Sequence, residues 1–511
     1  MKKYLILLCL STSLLALAAE TRRPNIVLIL ADDLGWSDTT LFGMTKLYET
    51  PNIERLARRG MLFNNAYAAS PICSPTRASI MTGMEPARLG LTQPNCHLPE
   101  IILQAQLETN GSPLHKALAP SSVTRLQTNY FTLAEALKPA GYVTGHFGKW
   151  HLGPEPYSPL QQGFDVDLPH YSGPGAPGSY VAPWSKLPPS LNFPPRQPHE
   201  HIEDRMADEA VAFMRANRNH AFFLNYWAFS VHAPFDGKAG YIDKYRTKLE
   251  NLSGSQKCPV YAAMVQSLDE AVGKLLDTLD ELQLADHTII IFISDNGGNM
   301  YNRVGGVPPT SNAPLRGGKG TIYEGGTRVP CAVVWPDKIA AASRSEALFV
   351  STDLYPTILA MLGLPAPTGV TFDGVNEWPV LQGKAAVRDA VYSYYPHYTP
   401  ATGNFPAVSV RQGDWKLIRF FCDQTNQTDR LELYNLKQDL GETRNLAEVE
   451  PETTRQLNGL LDQFLQRTGA VTPQPNPKWE ANAQPAPAKP RPHRAALRDR
   501  PAPEYDPGDA R

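Results

Sequence analysis

The chain has 511 residues, 42% apolar and 19% charged, with a formal net charge of −2 at pH 7. That length exceeds what one hydrophobic core usually serves, so a large domain with a smaller companion is expected. The near-zero charge supplies no basic field for nucleic acid and no acidic solvating tail.

Lys2 and Lys3, the apolar run Leu5 to Leu17 and Ala16-Leu17-Ala18 read as a signal peptide over residues 1–19. The run is short for a membrane span, and no later stretch of about 20 apolar residues offers one. An exported chain is expected, periplasmic or secreted, with no membrane attachment after cleavage. Cys9 follows Leu7 and Leu8, where a lipoprotein signal would carry a small residue, so no lipid anchor is expected. Export permits disulfides. If Cys73 is chemically occupied, Cys96, Cys258, Cys331 and Cys422 leave three pairings open, with free thiols as the alternative.

Residues 25–31 form a nearly unbroken apolar run, the pattern of a strand covered on both faces. Similar runs occur at 222–229, 288–294 and 329–335, and helical periodicity appears at 132–140, 203–216 and 261–282. This alternation predicts an α/β domain, residues 20–385, around a large, mostly parallel sheet flanked by helices. Short strands at 407–411, 415–421 and 430–435 and a helix over about 450–467 predict a C-terminal antiparallel sheet plus helix, residues 386–470. From 471 to 511 the Pro-rich sequence can bury little and reads as an extended or disordered tail. The Pro- and Gly-rich stretch 154–200 is too long to be an idle loop.

Asp32-Asp33 directly follows the strand at 25–31, and Asp295-Asn296 follows the strand at 288–294. In parallel α/β sheets the carboxyl ends of strands share one ligand-binding edge. Three carboxylates and an amide oxygen converging there would repel one another without a cation. All-oxygen ligation favours Ca²⁺, Mg²⁺ or Mn²⁺ over zinc. Turn chemistry is the competing reading for either pair taken alone. Further on, Cys73-Ser74-Pro75-Thr76-Arg77 runs into a helical stretch ending at Thr82-Gly83, with Pro75 suited to the first turn. Cys73 would then sit at a helix N-terminus, where anions are stabilised.

Cys-x-Pro-x-Arg followed by Thr-Gly resembles the signature of the formylglycine-dependent (type I) sulfatases of the alkaline-phosphatase superfamily. The resemblance extends in order over about residues 23–465. It takes in Arg23-Pro24-Asn25-Ile26 through Gly35, Thr50-Pro51-Asn52-Ile53, Gly148-Lys149-Trp150-His151-Leu152-Gly153 and Ser294-Asp295-Asn296-Gly297. It continues through Gly317-Gly318-Lys319-Gly320, Glu324 to Arg328, Gly413 to Leu417 and Leu433 to Leu436. It implies an alkaline-phosphatase-like fold and a sulfuric ester hydrolase. One Ca²⁺ would be held by Asp32, Asp33, Asp295 and Asn296, with the matured residue at Cys73 completing the site.

It also implies that a formylglycine-generating or sulfatase-maturing enzyme oxidises Cys73 to formylglycine. The hydrate would attack sulfur, and the sulfated enzyme would then expel sulfate. Arg77, Lys149 and Lys319 would stabilise charge. His232 would protonate the leaving oxygen and His151 would assist collapse of the diol. His97, His170 and His397 are candidate contacts to a sulfated polysaccharide or oligosaccharide, with structural roles as the alternative. Two rival readings are a phosphodiesterase or phosphonate-monoester hydrolase of the same superfamily, and an inactive glycan-binding relative.

Overall fold

The computed structural model describes residues 22–483. The signal-peptide reading, and the tail beyond 483, fall outside the described residues. The strands of the first 350 residues are β1 Asn25–Ala31, β2 Met61–Tyr67, β3 Ala117–Leu118, β4 Val143–Gly148, β5 Val166–Leu168, β6 Phe222–Trp227, β7 Thr288–Ser294, β8 Cys331–Val334 and β9 Ser343–Val350. All but β3 join one sheet in the order β5-β4-β6-β1-β7-β8-β2-β9. Strand β8 runs antiparallel to both neighbours, and the other pairings are parallel.

Strand β1 explains its own composition. Val27, Ile29 and Ala31 join one apolar core with the helices Ile202–Ala216 and Pro259–Glu281. Ile26, Leu28 and Leu30 join the other, with Ala78, Ile80 and Met81 of the helix Cys73–Thr82. Side chains alternate between faces with period two, and both faces are covered, so Ile26 to Ala31 are all apolar, while Asn25 at the strand's start is buried with its amide on the Thr288 hydroxyl.

Four further strands, β10 Ala390–Tyr395, β11 Ala407–Gln412, β12 Trp415–Phe420 and β13 Arg430–Asn435, form an antiparallel sheet in that order. Strand β10 extends the three-stranded expectation by one. One face packs on Leu457, Leu461 and Phe464 of the helix Pro451–Thr468. On the other, Ala407, Ile418 and Phe420 meet Ile322 of the larger unit. The first part of the stretch from 471, expected to be extended or disordered, is extended and docked. Strand β14, Gln474–Pro475, pairs with β3, and Asn476 is buried with its amide on the carbonyls of Ser112 and His115. An asparagine side chain supplies the donors that the prolines around it lack. All five described cysteines are buried and free, so none of the three pairings forms. No described helix is long and apolar enough to cross a membrane.

Candidate active site

Strands β4, β6, β1 and β7 are consecutive neighbours and mutually parallel. Their carboxyl ends therefore line one edge and deliver Lys149, His232, Asp32-Asp33 and Asp295-Asn296 to the same crevice. The helix Cys73–Thr82 starts there, entirely buried, with Cys73 in its first turn.

The charges interlock. Arg77 donates through Nε to Oδ2 of Asp295 at 2.9 Å and through Nη1 to the Lys149 carbonyl at 2.7 Å. Its Nη2 lies 2.8 Å from Asp295 and 3.6 Å from Asp32, and its guanidinium sits 5.1 Å from the Trp227 ring centroid. Lys149 Nζ lies 2.7 Å from Asp32 Oδ2, and Lys319 Nζ is 2.7 Å from Asp33 Oδ2. Asp33, at φ 62°, has its backbone N–H on Asp295 Oδ1 and accepts from Asn296 Nδ2 at 2.9 Å. Three carboxylates thus face three permanent cations, and a divalent ion would make the crevice net positive.

Two acceptors among these ligand candidates, Asp32 Oδ1 and Asn296 Oδ1, are buried with no hydrogen-bond partner. Buried oxygens left bare are costly, and a hard cation is what such a set of oxygens accommodates. Burial raises the Asp32 carboxyl well above its ordinary range; Lys149 opposes this and Asp295 adds to it. Burial acts on Asp33 in the same sense, but Lys319 and His232 outweigh it and hold that carboxyl low. Asp32, Asp33, Cys73 and His232 each bring a ligand-type atom within 4.8 Å of the others.

Burial would raise the Cys73 thiol, yet Lys149, Lys319 and a hydrogen bond with His232 bring it below its ordinary value. His232 Nδ1 lies 2.6 Å from the Ala233 carbonyl, so that nitrogen donates and Nε2 is left toward Asp33 Oδ2 at 3.8 Å. Burial, then Lys149, pushes His151 well below its ordinary value, so its imidazole is neutral. Lys319 is delivered by a loop seated on backbone. Its N–H bonds to the Gly298 carbonyl at 3.1 Å, and a Cβ on Gly297 would fall 1.8 Å from the Gly325 oxygen.

Residues 24–364 match the family described as Sulfatase, and residues 318–468 match N-sulphoglucosamine sulphohydrolase, C-terminal. The chain belongs to the sulfatase family. It is a type I sulfatase of the alkaline-phosphatase superfamily, and so a sulfuric ester hydrolase. It is 34% identical to human N-acetylgalactosamine-6-sulfatase over 72% of this chain and 68% of that one. It is 29% identical to N-acetylgalactosamine-6-O-sulfatase of Bacteroides thetaiotaomicron, over 88% and 94%. Among solved structures, Ps i-CgsB in complex with k-i-k-neocarrahexaose superimposes with a TM-score of 0.70 at 28% identity, covering 87% and 93%. Phosphonate monoester hydrolase of Agrobacterium radiobacter, TM-score 0.60 at 18% identity over 89% and 97%, shares the fold.

The three histidines read as sugar contacts have separate fates in this sulfatase. His97 Nδ1 lies 2.9 Å from His151 Nε2, an alliance the sequence does not announce. His170 lines a cavity of about 250 Å³ with Glu155, Asp167 and Tyr171, its Nδ1 2.6 Å from Asp167 Oδ2. His397 is buried and bonded through Nε2 to Thr92 at 2.7 Å. Ser74, inside the Cys73 signature, carries no role legible in the sequence, yet its hydroxyl holds the His151 carbonyl at 2.7 Å. Trp227, at the end of a buried strand, carries no polar signal in the sequence, yet its ring lies under Arg77.

Proposed function

We propose that this sulfatase is exported and hydrolyses sulfate esters on a sulfated polysaccharide or oligosaccharide, with Cys73 matured to formylglycine by a dedicated enzyme. One Ca²⁺ is held by Asp32, Asp33, Asp295 and Asn296 beside it. The observation that carries this reading is the convergence of Arg77, Lys149, Lys319 and His232 on the Cys73 end of one helix, with two bare ligand oxygens alongside.

A bound calcium ion would supply Lewis-acid stabilisation of charge on the sulfate oxygens, and hydrated formylglycine the nucleophilic oxygen. The chain's own groups do the rest. Lys149 and Lys319, one on each of the adjacent aspartates, present ammonium groups to sulfate oxygens that gain charge in the transition state. Arg77 holds Asp295 and, through the Lys149 carbonyl, the turn that carries His151. His232 is lowered by burial and by Lys319 and Lys149; a sulfate anion beside it favours the imidazolium, which can protonate the departing alkoxide through Nε2. Neutral His151 is suited to accept a proton from the hydroxyl at residue 73 when sulfate is expelled. The glycan assignment draws on the relatives' names and the neocarrahexaose complex. The cavity at His170, with an aromatic ring and two carboxylates, suits a sugar ring and its hydroxyls.

Comparing nitrophenyl sulfate with bis(nitrophenyl) phosphate tests the reaction class. The sulfate should be the better substrate, with activity lost in Cys73→Ala and a formylglycine mass on the peptide carrying residue 73. Preference for the phosphate diester would move the enzyme to the phosphodiesterase branch.

A further inference from the structure

We propose that Gly175 and Tyr180, in the Pro- and Gly-rich segment, are the positioning residues that aim the His232 imidazole. This rests on His232 being the acid of the reaction proposed above.

Gly175 packs directly on the ring. A Cβ built there would fall 2.5 Å from His232 Nδ1 and 2.5 Å from the Ala233 carbonyl oxygen that Nδ1 bonds. Real Cβ atoms do not approach that closely, so any side chain would displace the ring, the carbonyl or both. The φ of Gly175 is not in the left-handed region, so the requirement for glycine is one of space and not of backbone conformation. Tyr180, fully buried, fixes the same turn from behind. Its hydroxyl reaches the carbonyl of Phe229 and that of His232, the latter at 2.9 Å. The segment is itself anchored, with Ile202 N–H on the Tyr180 carbonyl at 2.8 Å and Ser179 Oγ on Asp236.

The consequence is geometric. Because Nδ1 is held on Ala233, the direction of Nε2 follows from the ring plane, and Gly175 leaves no room for that nitrogen or its acceptor to move toward the segment. A proton donor displaced by about 1 Å loses much of its effect. The cost should fall on leaving groups that need a proton. A sulfated sugar or plain phenol needs one; a nitrophenolate does not.

The test measures kcat/KM on nitrophenyl sulfate and phenyl sulfate for the wild type, Gly175→Ala, Tyr180→Phe and His232→Ala. The ratio of the two should rise about tenfold in Gly175→Ala and shift in the same direction in Tyr180→Phe. A general loss of structure would lower both substrates together and leave the ratio alone. Tyr180→Phe removes a single oxygen atom and carries the test should Gly175→Ala not fold. A steep ratio in His232→Ala with flat ratios in the two others would overturn the positioning role. A flat ratio in His232→Ala would overturn the acid assignment itself, and with it this inference.

Discussion

Lys149 Nζ lies 2.7 Å from Asp32 Oδ2, and neither side chain has any exposure to solvent. The ammonium stands at the end of β4 and the carboxylate at the end of β1, separated by the intervening β6. A buried pair of this kind contributes less than its Coulomb attraction suggests, because both ions have left water. Removing one partner is another matter, and the calcium proposed above would be the substitute counter-charge for Asp32.

Lys149→Ala should therefore destabilise the metal-free enzyme by up to about 3–5 kcal/mol, since buried Asp32 is left with only the Arg77 guanidinium, 3.6 Å away, as counter-charge. Calcium should recover part of that loss, while kcat/KM on nitrophenyl sulfate should stay about 10²–10³-fold down. Urea unfolding with and without calcium reads the first effect. Equal losses in both conditions would separate Asp32 from the metal.

Metal removal should act on stability as well as on turnover. Treatment with a chelator should abolish hydrolysis, and calcium at 100 times its Kd should restore about 2.7 kcal/mol of stability. Ligand distances of about 2.3–2.6 Å are expected in a calcium-soaked crystal. A melting temperature indifferent to both chelator and calcium would dispose of the site.

His232 and His151 should fail differently. His232→Ala should cost about 10²–10⁴-fold on a sulfated sugar and much less on nitrophenyl sulfate. His151→Ala should slow both substrates after the alcohol has left, visible as a burst of nitrophenol before a slow steady state. Absence of the burst would place His151 before bond cleavage.

His397 gives a pH signature. Burial pushes it down to about 3 from its ordinary 6.5, so between those values the unfolded chain binds a proton that the folded chain refuses. Stability must fall as pH drops below 6.5, by up to about 1.4 kcal/mol per pH unit, and level off near 3. Carboxyls such as Glu85, raised to about 8 by burial, act in the opposite sense, so a variant isolates the histidine. From pH 7 to 5 the stability advantage of wild type over His397→Gln should shrink by about 2 kcal/mol. A constant difference would show that the ring is already wet or charged.

Much of this sulfatase is legible in its sequence because the signals are local. Strand β1 announces two covered faces in six consecutive apolar residues, Ile26 to Ala31, and the acidic pairs behind β1 and β7 follow their strands directly. Less regular strands escaped. Asn64 and Asn65 interrupt β2, and β9 begins with four residues alternating between half-buried and exposed before its apolar end. The reversed direction of β8 was equally invisible, since a short buried strand has the same composition either way.

Within the site, residue types and their order along the chain were readable, but contacts across the chain were not. That His97 would meet His151, that His397 would turn inward to Thr92, and that Gly175 would lie against His232 are decided by packing between segments distant in sequence. A glycine among prolines looks the same whether it faces water or an imidazole. Only the approach of the second segment supplies the steric reason for it.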